Sequence, residues 1–262
     1  MRPLIALVTD FGTQDHYAGT MKGVVLGICP DATLVDITHD IPPHDVMAGA
    51  LELAAAYKFF PAGTIFVAVV DPGVGSARRG FAADTGEYRF VAPDNGVLTQ
   101  VFRETPPKKI VELTERRYAR PTVSRTFEGR DRFAPAAAWL AKGIQLSALG
   151  RPIADVQRLD IPAPEEAAGI VRGVVLRVDR FGNLVTNIDR KTFERLGQSG
   201  AITIDTGGRR VERLVATYAE LPPDGVGALF GSTDHLELAA PSSSAAERLG
   251  LARGAAVTVS KI

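Results

Sequence analysis

The chain has 262 residues, 45% of them hydrophobic and 23% charged. That is enough for one large domain or two small ones, each with a proper core. Lys plus Arg equals Asp plus Glu at 30 each, so the charge balance gives no reason to expect nucleic acid or an anionic membrane as partner.

The opening Met1-Arg2-Pro3 leads straight into Leu4–Val8, an apolar run too short for a signal sequence and soon closed by Asp10. Leu4–Thr9 reads as a buried strand. Tyr17, Met21, Val24, Val25 and Ile28 fall at helical spacing and predict a helix over about residues 16–29. Cys29 closes that segment as a core residue. As the lone cysteine it can form no disulfide within the chain and fits a reducing compartment. Leu34–Thr38 is a second strand. Pro42-Pro43 is expected to open a helix carrying Val46, Ala50, Leu53, Ala54 and Tyr57 on one face. Thr64–Val70 is a third strand, apolar enough to be covered on both faces.

Phe81–Ala83 and Phe90–Pro93 follow as short strands. Asp94-Asn95-Gly96 is a turn before a short helix to Phe102. Lys109–Leu113 is a strand and Phe133–Ala141 a helix. The proline-rich stretch around 150–170 reads as a connector. Beyond it come short strands at Gly173–Val178, Leu184–Ile188, Ala201–Ile204, Arg210–Ala216, Ala228–Gly231, Leu236–Ala239 and Ala256–Ser260. The expectation is an α/β fold: an amino-terminal α/β domain (1–160) with a mainly parallel central sheet, and a carboxy-terminal small β-barrel domain (168–262). No apolar run approaches the ~18 residues a membrane helix needs, and a cytoplasmic location is expected.

Ligands of open parallel sheets bind beyond the carboxyl ends of the strands. Asp10 follows the first strand and Asp71 the third. Each also suits a turn, as Asp does before Gly or Pro; if the two strands are neighbours, both carboxylates face one crevice. Gly73-Val74-Gly75-Ser76-Ala77-Arg78-Arg79-Gly80 lacks the Lys-Ser/Thr ending of a P-loop and any following amphipathic helix, which excludes a nucleoside triphosphate cradle. Arg78 stands where it can fold back onto Asp71, or be a solvated surface arginine. In Thr126-Phe127-Glu128-Gly129-Arg130-Asp131, Glu128 is a site residue or a solvated one, and Asp131 is placed to cap the next helix. His39, His44, Asp10 and Asp71 raise a metal site, disfavoured by the two prolines between the histidines. Asp179-Arg180-Phe181-Gly182-Asn183 interrupts a strand pair, as a hairpin turn or as an aromatic, amide and carboxylate set for a heterocycle. Phe230-Gly231-Ser232-Thr233-Asp234 is a similar polar break.

Five segments recur in this order in one family: Val8–Gly12, Val70–Arg79, Ala92–Gly96, Phe127–Pro135 and Asp179–Asn183. The chain resembles the S-adenosylmethionine hydroxide adenosyltransferases, homologous to the fluorinase and chlorinase, over nearly its whole length. The resemblance implies displacement at C5′ of S-adenosylmethionine by water or hydroxide, giving adenosine and methionine, with no cofactor and no metal. It implies a homotrimer with the ligand between the amino-terminal domain of one subunit and the carboxy-terminal domain of the next. Asp71, Arg78 and Glu128 would be catalytic. Asp10 would hold the ribose hydroxyls, with His44 near the ribose. Asp15, Asp179 and Ser232 would hold the methionine end, and Phe181, Asn183 and Tyr218 the adenine. The family usually has His where this chain has Glu128, which leaves a Glu variant of the hydrolase or a non-catalytic S-adenosylmethionine or adenosine binder as readings. A halide-using transferase fits less well, because a carboxylate at position 71 repels an anion.

Overall fold

A computed structural model describes residues 2–196, 202–211 and 213–261. The chain divides into two units, Met1–Ile161 and Pro162–Ile262.

In the first unit the strands β1 (Leu4–Thr9), β2 (Thr33–Thr38), β3 (Ile65–Val69), β4 (Gly80–Asp84), β5 (Arg89–Pro93) and β6 (Lys109–Glu112) form one sheet in the order β2-β1-β3-β5-β4-β6. The β2-β1-β3-β5 run is parallel, and β4 is antiparallel to both of its neighbours. Period-two alternation sends successive side chains to opposite faces. Ile5, Leu7, Ile65, Val67 and Val69 face one core with Met21 and Val25 of α1 (Tyr17–Ile28). Ala6, Val8, Phe66 and Ala68 face the other with Leu53 of α2 (Val46–Ala56) and Phe102 of α3 (Thr99–Glu104). α4 (Ala134–Ala141) joins the first core. Helices therefore cover both faces, which is why β1 and β3 are almost wholly apolar. Cys29 is buried in the first core.

The second helix does not open at Pro42-Pro43. Asp45 N donates to Pro42 O, closing a turn with Pro43 at its second position and His44 at φ 68° at its third, the pattern of a type II turn. Asp45 then caps α2, its Oδ1 accepting from Ala48 N at 3.0 Å. Asp131 is not a cap either: it lies inside a π-helical turn, Gly129–Phe133, that precedes α4.

The second unit holds β7 (Glu165–Ala167), β8 (Ile170–Val178), β9 (Leu184–Asp189), β10 (Ile202–Thr206), β11 (Arg209–Val211), β12 (Gly227–Phe230), β13 (His235–Ala239) and β14 (Ala256–Lys261). They build one antiparallel, barrel-like sheet ordered β11-β10-β14-β8-β9-β13-β12, with β7 beside β8. Of the expected strands here, Ala201 and Glu212 lie outside the described residues. The expected Arg210–Ala216 strand ends at Val211 within the described residues, and Leu214 makes only an isolated bridge to Ala228. Two short helices, α5 (Arg190–Leu196) and α6 (Ala245–Leu249), were not expected from the sequence. α6 carries local signals: Ser244 Oγ accepts from Glu247 N, and Gly250 ends it in the left-handed region. Among the described residues no helix is long and apolar enough to cross a membrane.

Phe66 is 1% exposed and stacks on Phe90 at 5.2 Å. Phe66→Ala is expected to lower stability by ~3–5 kcal/mol, measured by urea unfolding; a loss below ~1 kcal/mol would mean the core closes over the gap.

Candidate active site

β1 and β3 are parallel neighbours, with Thr9 opposite Val69. Their carboxyl ends therefore release Asp10 and Asp71 side by side. Both line one cavity of about 280 Å³ together with His44, Phe127 and Glu128. Of the residues singled out in the first unit, Asp10, His44, Asp71 and Glu128 thus converge. Asp15 does not; it is exposed in the turn before α1.

Arg78 does fold back. Its Nε donates to Asp71 Oδ1 at 2.9 Å and its Nη2 to Oδ2, the two-pronged geometry that suits guanidinium and carboxylate. The same Nη2 lies 2.8 Å from Glu128 Oε2, so one guanidinium bridges two carboxylates. All three side chains are largely buried, at 10% (Arg78), 5% (Asp71) and 11% (Glu128) exposure. Among the described residues, Glu128 Oε2 lacks the alignment of a hydrogen bond with any partner. Burial pushes the Asp71 carboxyl above the ordinary carboxylate range, and the charge of Glu128 adds to the shift. The two hydrogen-bonding prongs and the charge of Arg78 oppose it without cancelling it.

The supports of this trio are local. Asn95 Nδ2 donates to Val70 O at 2.8 Å, tying the Asp94-Asn95-Gly96 turn to the end of β3. Arg79 turns the other way, to Asp94 and Asp155. Asp131, fully buried, accepts from Arg130 Nε and Nη2 and from Ser124 N, and so fixes the segment that carries Glu128. Burial opposes ionisation of Asp131, but the Arg130 and Ser124 hydrogen bonds outweigh it and hold its carboxyl below the ordinary range.

Asp10 Oδ2 accepts from His44 N at 2.9 Å. That bond holds His44 in its left-handed backbone, which costs about 1–3 kcal/mol in a residue other than glycine. His39 does not join the cavity. Its Nδ1 is 2.8 Å from Thr9 Oγ1 and its Nε2 is 3.0 Å from Asp36 Oδ1, so the suggested metal quartet does not assemble. Among the described residues no group of three or more His, Cys, Asp or Glu side chains converges on a metal position.

In the second unit, Asp179 Oδ1 accepts from Phe181 N and Asn183 N, and Oδ2 accepts from Asn183 Nδ2. The Asp-Arg-Phe-Gly-Asn turn is thus closed by its own aspartate and leaves the Phe181 ring 78% exposed. Ser232 is exposed on the other polar break. Tyr218 OH donates to Glu237 Oε2 at 2.7 Å. Glu237 was missed in the sequence. It is buried on β13 between Leu236 and Leu238, and a Cβ at Gly231 would collide with its carboxylate. Burial and the Asp179 charge raise its carboxyl, with the Tyr218 hydrogen bond opposing; burial and Glu237 push the Tyr218 hydroxyl up in turn. The readable signal was a carboxylate flanked by two core leucines in a strand.

Comparison with known proteins matches the chain to the SAM hydroxide adenosyltransferase N-terminal domain over residues 5–150 and its C-terminal domain over residues 173–258. It is 38% identical to an (R)-S-adenosyl-L-methionine hydrolase of Thermus thermophilus, covering 97% of this chain and 98% of that one. It is 31% identical to a fluorinase of an Actinoplanes species, covering 99% and 98%. A crystal structure of a conserved protein from Thermotoga maritima superposes with a TM-score of 0.93 at 32% identity, covering 98% of this chain and 100% of that one.

A carboxyl raised in the folded state binds protons that the unfolded chain has already released. Asp71 should therefore cost stability as pH rises from ~4, the unfolded value, through its raised folded value. The stability of the wild type minus that of Asp71→Asn is expected to fall across that interval in urea titrations at stepped pH; a flat difference would contradict the assigned shift.

Proposed function

We propose that this chain, which belongs to the SAM hydroxide adenosyltransferase family, hydrolyses S-adenosyl-L-methionine to adenosine and L-methionine. The observation that carries the reading is the pair of carboxylates, Asp71 and Glu128, facing one cavity with Arg78 bridging them. An oxygen of water attacks C5′, and the C5′–S bond breaks with its electron pair going to sulfur. The water gives up a proton, and the neutral thioether of methionine leaves. A sulfonium is already activated as a leaving group, so the work left to the protein is to place water in line and to accept its proton.

The residues divide that work. Both Asp71 oxygens accept from Arg78, which fixes the carboxylate as a rigid acceptor for the water. Glu128 Oε1 stands 3.9 Å from Arg132, outside hydrogen-bond reach, and is the oxygen free to take the proton. Halide is the poorer nucleophile for this cavity, because two carboxylates in its wall repel an anion. Asp10 would hold the ribose hydroxyls, its Oδ2 already accepting from His44 N. Asp15, Asp179 and Ser232 would hold the methionine end. Phe181, Asn183 and Tyr218 would hold the adenine, supplied by a neighbouring subunit of a homotrimer as the family resemblance implies. The exposed Phe181 ring fits a surface that is covered on assembly or by ligand. The lone buried Cys29 suits a cytoplasmic setting.

The test is hydrolysis of S-adenosylmethionine in H₂¹⁸O with chelator and with high chloride, products separated by mass. Labelled adenosine plus methionine, with no chlorinated nucleoside, is expected. Intact S-adenosylmethionine recovered with the protein would replace the enzyme reading with a binder.

Asp71→Asn is expected to lower kcat by ~10²- to 10⁴-fold with KM little changed. Glu128→His should keep or raise kcat; a folded but inactive Glu128→His protein would show that the carboxylate has a role histidine cannot fill.

A further inference from the structure

A second cavity, about 470 Å³ in volume, lies against the same trio. Glu128 lines both cavities; Asp71 lines only the first and Arg78 only the second. The second cavity is polar and is walled by the loop after β3 and by the segment that leads into the π-helical turn. Those two segments are held at backbone contact. Gly75 sits at φ 79°, and a Cβ there would collide with the carbonyl oxygen of Arg125. The approach therefore requires glycine, and the cavity is part of the fold rather than a gap between loose side chains.

Its lining is unbalanced in charge. Five arginines (78, 79, 116, 125 and 132) meet only two carboxylates, Glu112 and Glu128. Arg78 is committed to Asp71 and Glu128, and Arg79 to Asp94 and Asp155. Glu112 is taken by Arg151 at 2.8 Å. Arg132 comes no nearer to Glu128 than 3.9 Å. For Arg116 and Arg125 no acidic side chain stands within ion-pair distance among the described residues. Ser76 Oγ accepts from Arg78 N, which leaves its own hydrogen free to donate; Ser124, also in the wall, accepts from Thr126 N and shares a hydrogen bond with the Thr126 hydroxyl. A concave polar surface with excess guanidinium concentrates positive potential. Guanidinium groups match the oxygens of a phosphate two at a time.

We infer that this second cavity binds a phosphate-type oxyanion, either free phosphate or the phosphate group of a larger molecule, through Arg116, Arg125 and Arg132 with the serine hydroxyls. The inference is independent of the reaction assigned to the first cavity, since neither Arg116 nor Arg125 lines that cavity.

The experiment is titration calorimetry of the full chain with inorganic phosphate and, separately, with tripolyphosphate, at constant ionic strength set by sodium chloride. Saturable binding is expected for at least one. Binding of both points to free phosphate as a sufficient ligand, and binding of tripolyphosphate alone points to a phosphate chain. The double variant Arg116→Ala/Arg125→Ala should lose at least about tenfold in affinity, the scale of one charge-assisted contact. Both side chains are on exposed residues, so the variant should unfold at the wild-type temperature, and a thermal melt checks this. No saturable heat with either anion, or equal affinity in wild type and double variant, overturns the inference.

Discussion

The single guanidinium of Arg78 is the interaction that joins the two buried carboxylates of the first cavity. It comes from a loop that leaves β3 and returns to it within seven residues, and it meets Asp71 at the strand end. It also reaches Glu128, which arrives from a different part of the chain at the mouth of a π-helical turn. Two charged carboxylates brought this close repel each other, and burial with that repulsion raises the carboxyl of Asp71. A cation between them is what lets both stay in place. A fixed fork does this better than a lysine, whose point charge cannot bond one carboxylate through two nitrogens while touching another. The guanidinium also sits 5.4 Å from the Phe133 ring centre, and Phe133 in turn occupies the space above Gly80. The position of the charge is thus locked by the start of β4 and by the apolar end of the π-helical turn.

A second chain of polar groups does a similar task at the other strand ends. Lys22 holds Asp36, Asp36 meets His39, and His39 meets Thr9. Thr9 is fully buried and stands immediately before Asp10. Burial pushes the Asp36 carboxyl up, but Lys22 and His39 outweigh it and hold it below its ordinary value. The linkage ties Thr9, at the end of β1 and one residue before Asp10, to Asp36 of β2 and Lys22 of α1. His39 is hydrogen-bonded through Nδ1 to Thr9, while its buried Nε2 lies near Asp36 without the alignment of a hydrogen bond.

Much of this was legible because parallel strands obey a rule about where ligands bind. Asp10 and Asp71 could be named from their positions after two apolar runs, and their meeting follows from β1 lying beside β3. Arg78 was legible as a residue able to fold back, because a seven-residue glycine-containing loop has the reach. What failed was reading the local environment of a single polar residue. Pro42-Pro43 has the composition of a helix start but forms a turn, because position 44 takes a positive φ and Asp45 supplies the better cap. Asp131 has the composition of a cap but is buried, because Arg130 folds over it. Glu237 was passed over for the opposite reason: in sequence it is one more charge in a strand, and only the fold puts it beneath Tyr218.

The glutamate at position 128 changes the electrostatics of the trio and not only the identity of one side chain. The family resemblance places histidine there, and a neutral imidazole adds no negative charge beside Asp71. With glutamate, Asp71 has a like charge across one shared cation, and that charge adds to burial in raising its carboxyl. The guanidinium must then be divided between two acceptors. Its two prongs go to Asp71, and Glu128 Oε2 receives only a close, poorly aligned approach. Geometry thus treats the two carboxylates differently: Asp71 is held by both prongs of the guanidinium, and Glu128 is not. Glu128 is the residue that the two cavities share, and the arginine-rich wall of the second begins beside it.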